Sequence, residues 1–372
     1  MKKQKTNKKR ILLKATNIIP YRNGMLDGVG RSTIELLKNM MALNSDDLEF
    51  QIYCTGLKSL FFDFYHWRIK HHKLLFSLRG SSWLSSVLEP LVRKLFWSYD
   101  LFHITNNFDS IYDGENFIVT IHDLILYREN VDLRPSFERV AKKSKAIVTC
   151  SNFSKKEIIE LLHVNPEKIY VIPWGINHSI FFKRNDKDIE KVKGKFKIEM
   201  PYFFSCSCGS KRKNPDVTMQ AFVDFLTNGN HATLVLVWGI CPSELKEKYS
   251  KYIESGQIKI LNGVSNEDLA ALYSGALASY FISSAEGFGF PLLESFACGT
   301  PCVTCNNTSL TELGKGYAYY VKDRNVRETE ESMEYFYHNG KGNVDTLVDY
   351  AKKFNWADTA KLYVDLYRNV LN

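Results

Sequence analysis

Two carboxylates and a pair of cations carry the clearest chemical signal in this chain. Glu286 and Glu294 stand eight residues apart in the stretch SAEGFGFPLLESFACGTP, Ser284 to Pro301. The apolar run Ala278 to Ile282 ahead of it reads as a buried strand. Pro291 suits the first helical position, where no backbone N–H is needed. Leu292 to Cys298 continue as helix, and Gly299 is a C-cap. Strand, glycine loop and helix N-terminus together let the N–H groups around Gly287, Phe288 and Gly289 approach a phosphate. Spacing also allows both glutamates to face one crevice. A second signal is Lys211-Arg212-Lys213, at the turn between the apolar run Tyr202 to Cys206 and a helix opened by Pro215. Arg212 and Lys213 there suit a diphosphate. His122 ends a third apolar run, Phe117 to Ile121, and catalytic groups of open α/β sheets collect at the carboxyl ends of strands. Each signal is weak singly, since 24% of the chain is charged and a lone histidine is more often structural.

The elements that must position these residues alternate strand and helix. At 372 residues the chain fits two domains of about 150–200 residues. The first half reads as strands at Ile11–Ile19, Glu49–Cys54, Asp100–Ile104, Phe117–Ile121, Ala146–Cys150 and Ile169–Ile172. A loop containing Gly28 and Gly30 follows the first strand and leads to a helix from Ser32 to Met41. The dinucleotide fingerprint needs another glycine three residues on, where this chain has Thr33, so that site is disfavoured. Ser154-Lys-Lys-Glu157 reads as a capping box. Phe181 to Lys197 is a charged connection. The second half reads as strands at Tyr202–Cys206, Thr233–Trp238, Ile258–Leu261, Ala278–Ile282 and Pro301–Thr304. Gly263 and Val264 precede a helix from Glu267 to Ser274. A last helix spans Ala357 to Val370.

The string E-G-F-G-F-P-L-L-E resembles the E-x7-E motif of retaining glycosyltransferases of family four, the group 1 glycosyltransferases. FIVTIHDL, TCSNFSKKEI, VIPWGIN, the R-K-N of the basic loop and the terminal FNWADTAKLYVDLY are similar to that family too. The resemblance implies the α/β GT-B fold: two Rossmann-like αβα domains facing an interdomain cleft. Residues 1–180 are then an acceptor-binding domain and 181–354 a nucleotide-sugar-binding domain, with 355–372 a helix crossing back to the first. It implies transfer of a hexose, with retention and without a metal, from a nucleotide diphosphate sugar to a hydroxyl of a glycan or lipid-linked glycan. GDP-mannose and UDP-sugars are the donors expected, and the process is surface polysaccharide or glycoconjugate synthesis. His122, Glu286, Arg212 and Lys213 are the implied catalytic set. Gly28, Gly30, Gly263, Val264, Gly287, Phe288, Gly289 and Glu294 are the implied nucleotide-sugar contacts, with Glu294 on the ribose. No cofactor is expected besides the donor. Two departures from the family stand out: Trp174 replaces a small polar residue, and Ser207 replaces an arginine that often precedes the loop lysine. A protein acceptor, a GT-B nucleotide-sugar epimerase and a non-catalytic nucleotide-sugar-binding subunit remain alternatives at this stage.

Composition narrows the setting. The net charge is +8, and the first ten residues carry six Lys or Arg. Ile11 to Leu13 is interrupted by Lys14, so no signal peptide is read there. No run reaches the ~18 apolar residues of a spanning helix. A cytoplasmic protein is expected, with peripheral contact to the inner face of the membrane through the basic and aromatic stretch 57–97. Ordinary helices with aromatics inward and charges outward are the competing reading of that stretch. Charge alone would admit a nucleic-acid binder, but no recognition motif is present, and no nucleic acid is expected as a partner. The eight cysteines read as buried reduced thiols, and Cys302-Val-Thr-Cys305 as a strand, not a zinc site.

Overall fold

The computed structural model describes residues 8–20, 26–63, 65, 67, 69–74, 83–206, 210–239 and 241–372. The chain forms two compact units: Met1–Gly175 with Trp356–Asn372, and Ile176–Asn355. The first holds strands β1 (Lys9–Lys14), β2 (Leu48–Thr55), β3 (Lys70–Leu74), β4 (Leu101–Ile104), β5 (Phe117–Thr120), β6 (Ala146–Thr149) and β7 (Ile169–Val171). They lie in the order β3-β2-β1-β4-β5-β6-β7, and every neighbouring pair is parallel. The second holds β8 (Tyr202–Ser205), β9 (Thr233–Val237), β10 (Ile258–Leu261), β11 (Ser279–Phe281), β12 (Cys302–Cys305) and β13 (Tyr319–Val321). Their order is β10-β9-β8-β11-β12-β13, again all parallel. Parallel sheets are covered on both faces by their crossover helices, which is why FIVT and AIVT read as continuous apolar runs and are buried throughout. Strand order reverses between β1 and β4 in one sheet and between β8 and β11 in the other. Ligands of doubly wound sheets bind outside the carboxyl ends of the strands at such reversals.

The units divide after Gly175, not between residues 180 and 181. Ile176 pairs with Asn355 in a parallel bridge, and Ile176 donates to Phe354 O at 2.9 Å. The chain therefore enters and leaves the second unit side by side. The terminal helix, Trp356–Leu371, completes the first unit. Tyr367 Oη lies 2.7 Å from His103 Nδ1 in β4. Tyr363 Oη lies 3.4 Å from Thr120 in β5. At its outer end Arg368 pairs with Asp47 at 2.9 Å.

Several sequence readings change. The first strand stops at Lys14 instead of Ile19, because Thr16–Ile18 turns as a 3-10 helix. Thr16 Oγ1 there accepts from Thr55 N at 3.0 Å. The next helix starts at Gly28, not Ser32, because Asp27 caps it by accepting from Gly30 N at 2.7 Å. The helix Asn152–Leu162 is capped by Ser151, not Ser154. An edge strand, β3, appears in KHHKL, a segment without strand patterning. Helix Trp83–Phe96 departs from the ordinary amphipathic reading. It turns Glu89 and Arg93 inward, with side chains 11% and 0% exposed, and leaves Leu91, Leu95 and Phe96 exposed.

Two buried histidines tie this core to pH. Burial pushes His103 down to about 3 and His122 down to about 4. Both are neutral in the folded unit, whereas in the unfolded chain they take up protons below about pH 6.5. Their contribution to stability is full above that pH and is lost as pH falls toward about 4. Thermal melts at about pH 7.5 and about pH 5 should show the first unit melting earlier in acid. His103→Gln should flatten that dependence.

Candidate active site

The second unit's reversal point gathers one set of the sequence-derived residues. The loop after β8 carries Arg212 and Lys213 in a short 3-10 turn, Lys211–Lys213, that ends at Asn214 in the left-handed conformation. The loop after β11 carries Ser283 to Gly289. Because β8 and β11 are neighbours, the two loops zip together. Ser284 N donates to Arg212 O at 2.8 Å. Arg212 Nη1 donates to Glu286 Oε1 at 2.7 Å and also to Ala285 O. Lys213 Nζ lies 3.6 Å from the same Oε1, over the Phe281 ring at 4.9 Å. Ser283 Oγ donates to Oε1 as well, at 2.8 Å. The Glu286 carboxylate is thus the counter-ion of the basic loop, and all of these bonds converge on one of its oxygens. The side chains of Arg212, Lys213 and Glu286 are only 29%, 15% and 13% exposed. In such partly desolvated surroundings their charges act more strongly than in open water.

Neighbouring strands brace this arrangement with residues that sequence reading missed. Asn307, after β12, donates to Ser283 O and Ser284 O at 3.1 and 3.2 Å. Ser309 Oγ donates to Glu286 O and Phe288 O at 2.8 and 2.5 Å. Asp323, after β13, accepts from Asn214 at 2.7 Å and from Ser284 Oγ at 2.8 Å. The advance signal for Asn307 and Ser309 is their place after the apolar run Pro301–Thr304, and Asp323 carries none. Gly289 is the N-cap of the helix Phe290–Ala297, at φ +135°, with a Leu310 methyl 2.9 Å from where a Cβ would stand. Pro291 sits in the first turn of that helix, and Gly299 has φ +71° just beyond its end.

Not all expected residues join this cluster. Glu294 lies buried inside the helix, where its charge acts on Tyr273 and Cys298, while the bonds of Glu286 run to the basic loop. Gly263, at φ +64°, is exposed after β10 with Val264 half-buried beside it. Ser207 lies outside the described residues, as do parts of the stretch 57–97 and of the loop before Leu26. Cys302 and Cys305 are free, buried thiols inside β12. Among the described residues no three His, Cys, Asp or Glu side chains come together as metal ligands.

The carboxyl ends of β1 and β5 in the first unit hold the rest. His122 follows β5. Its Nε2 lies 2.9 Å from Thr105 O, and a carbonyl only accepts, so Nε2 carries the proton. Nδ1 is then a lone-pair acceptor, buried and without a hydrogen-bond partner. The Trp174 ring packs on the imidazole at 5.0 Å between centroids, so the departure at 174 bears directly on this histidine. Gly28 and Gly30 belong to a helical first turn instead of an open loop. A Cβ on Gly30 would stand 2.4 Å from Asn17 O, so close packing of that turn requires the glycine.

Known proteins resemble this chain in sequence and in fold. The model of "Glycosyl transferases group 1" matches residues 186–354 and that of "Glycosyltransferase Family 4" matches residues 26–180. The chain belongs to the group 1, family 4 glycosyltransferases. O-antigen chain mannosyltransferase B of Escherichia coli is 26% identical over 285 residues, 70% of this chain and 74% of that protein. The serotype-specific mannosyltransferase WbdA of E. coli is 26% identical over 276 residues, 68% of this chain but only 33% of that longer protein. A glycosyltransferase structure from Rickettsia africae ESF-5 superposes with a TM-score of 0.75 at 18% identity, covering 98% of this chain and 99% of that one. Anabaena Alr3699/HepE in complex with UDP-glucose gives 0.74 at 16% identity, covering 97% and 99%. This glycosyltransferase therefore has the GT-B fold, with one Rossmann-like sheet in each unit, and it is a hexosyltransferase.

The tight loop gives a direct test. Gly289→Ala places a side chain at a φ that L residues rarely adopt and against Leu310. It should cost about 1–3 kcal/mol, read as a lower thermal midpoint of the second unit.

Proposed function

We propose that this glycosyltransferase moves a mannosyl or related hexosyl group from a nucleotide diphosphate sugar to a hydroxyl of a growing surface polysaccharide, with retention. The paired loops carry the reading: Arg212 and Lys213, gathered on a carboxylate at the ends of adjacent strands, form a cationic seat suited to a diphosphate. The leaving group is a nucleoside diphosphate, so charge develops on its β-phosphate as the anomeric C–O bond breaks. Arg212, Lys213 and the N–H groups of Phe288 and Gly289 neutralise it without a metal. The acceptor oxygen bonds to the anomeric carbon on the same face, and its proton passes to the departing phosphate oxygen. Glu286 offers its other oxygen to the donor sugar's hydroxyls. His122 offers Nδ1 to a substrate hydroxyl, as a neutral acceptor at physiological pH. Glu294 is assigned to the ribose, the Gly263-Val264 backbone to the nucleobase, and Gly28 and Gly30 to the donor side. The mannosyltransferase names of the relatives favour GDP-mannose, and the UDP-glucose complex of HepE keeps UDP-sugars in view.

The acceptor side includes a membrane. The second half of helix Trp83–Phe96 is inverted, with leucines exposed at positions 91 and 95 and Phe96 75% exposed. Lys94 is exposed among them, and the net charge of +8 favours an anionic surface. No helix among the described residues is long and apolar enough to cross a bilayer. The helix is assigned to lie on the interface, where a lipid-linked glycan would be met.

Two experiments follow. A hydrogen bond to a charged group contributes about 1.5–3 kcal/mol. Glu286→Gln and Arg212→Gln should each lower turnover roughly 10- to 150-fold in a mass-spectrometric assay with GDP-mannose. Full activity in Glu286→Gln would remove its assigned role. Leu91→Asp with Leu95→Asp should weaken co-sedimentation with anionic vesicles at least about tenfold. Transfer to a water-soluble acceptor should stay unchanged.

A further inference from the structure

The loop after β4, residues 105–110, is anchored from outside at three points. Thr105 Oγ1 donates to Lys14 O at the end of β1. The Lys14 ammonium lies 2.5 Å from Asp109 Oδ2 and 2.7 Å from Glu89 Oε1. Arg93 donates to Ser110 O at 2.7 Å, while Glu115 holds the same guanidinium at 3.0 Å. Within that span the loop supplies two bonds to His122. Thr105 O takes the Nε2 proton at 2.9 Å, and Asn107 Oδ1 takes the backbone N–H at 2.8 Å.

The anchoring charges are buried: the Lys14 and Asp109 side chains are 10% and 5% exposed. Burial pushes the Asp109 carboxyl up, and the Lys14 ammonium partly offsets it. Buried ion pairs are poor sources of stability, and apolar residues of similar volume often do as well or better. An ion pair does fix a loop in place and direction, which an apolar contact does not. Displacing this loop would release the Nε2 proton from Thr105, and the imidazole could then turn or change tautomer. Either change withdraws the Nδ1 lone pair.

We propose that Lys14 and Asp109 are positioning residues for His122: their ion pair sets the loop 105–110, and the loop sets the histidine's plane and tautomer. This rests on His122 being a substrate contact.

The test is a cycle of three variants. Asp109→Asn keeps the size and the acceptor for Ser110 N, which now bonds at 2.7 Å, but loses the charge. It should lower kcat about tenfold, the worth of roughly one hydrogen bond, with KM for the donor nearly unchanged. In a His122→Ala background Asp109→Asn should cause no further loss. A further tenfold loss there overturns the proposal, since Asp109 would then act through something other than His122. A His122→Ala enzyme as active as the parent overturns instead the substrate contact on which the proposal rests. Imidazole 15N shifts give a readout apart from activity. The parent should show His122 as a single Nε2–H tautomer and Asp109→Asn a mixture, and unchanged shifts would overturn the proposal. If Asp109→Asn does not fold, Lys14→Arg keeps the charge but alters its geometry. It is judged by the same non-additivity and the same shifts.

Discussion

The pairing of Glu286 with Arg212 and Lys213 is the interaction on which the second unit's chemistry depends. Two cations crowded at one loop would repel each other without an internal anion. The carboxylate holds them within reach of one another at the carboxyl ends of two adjacent parallel strands. What makes this possible is strand order. β8 and β11 are far apart in sequence, yet they are neighbours at the one place in the sheet where the winding reverses. The connections to either side leave in opposite directions there, and the loops can meet each other without a helix between them. The bracing by Asn307, Ser309 and Asp323 follows the same logic, each arriving from the end of the next strand along.

The first unit solves the corresponding problem in a different way. Its reversal lies between β1 and β4, and its histidine is one strand further on. The imidazole is held by a backbone oxygen, and the histidine's own backbone N–H by an amide oxygen. The charges sit one layer back, in a buried network of Lys14, Glu89, Asp109, Arg93 and Glu115. That network also explains the inverted helix. Glu89 and Arg93 turn inward because Lys14, Tyr53 and Glu115 await them, and Leu91 and Leu95 are left outside.

The sequence made the strands and the order of the site loops legible because parallel, doubly covered strands leave unbroken apolar runs. The E-x7-E string and the R-K-N loop could be singled out, but their union could not. Arg212 and Glu286 are 74 residues apart, and only strand order brings them together. The inward turn of Arg93 was hidden for the same reason, since Glu115 lies 22 residues away on a different element. The helix start at Gly28 was missed because two glycines in three residues argue for a loop, whereas a single cap by Asp27 overrules them. KHHKL was missed because an edge strand with one partner needs no apolar alternation.

The terminal helix has a bearing on how this protein is made. Tyr363 and Tyr367 complete a core begun by β4 and β5, yet the whole of the second unit is translated in between. At ribosomal speeds that is a wait of about 10–40 s, during which the His103 and Thr120 side chains lack their partners. The first unit to emerge is therefore the last to be finished. An early stop that trims only the final two turns would remove Tyr367 and Arg368, and with them the bonds to His103 and Asp47 in the amino-terminal unit. Nascent chains of this enzyme are thus exposed to chaperones and proteases chiefly through their oldest part.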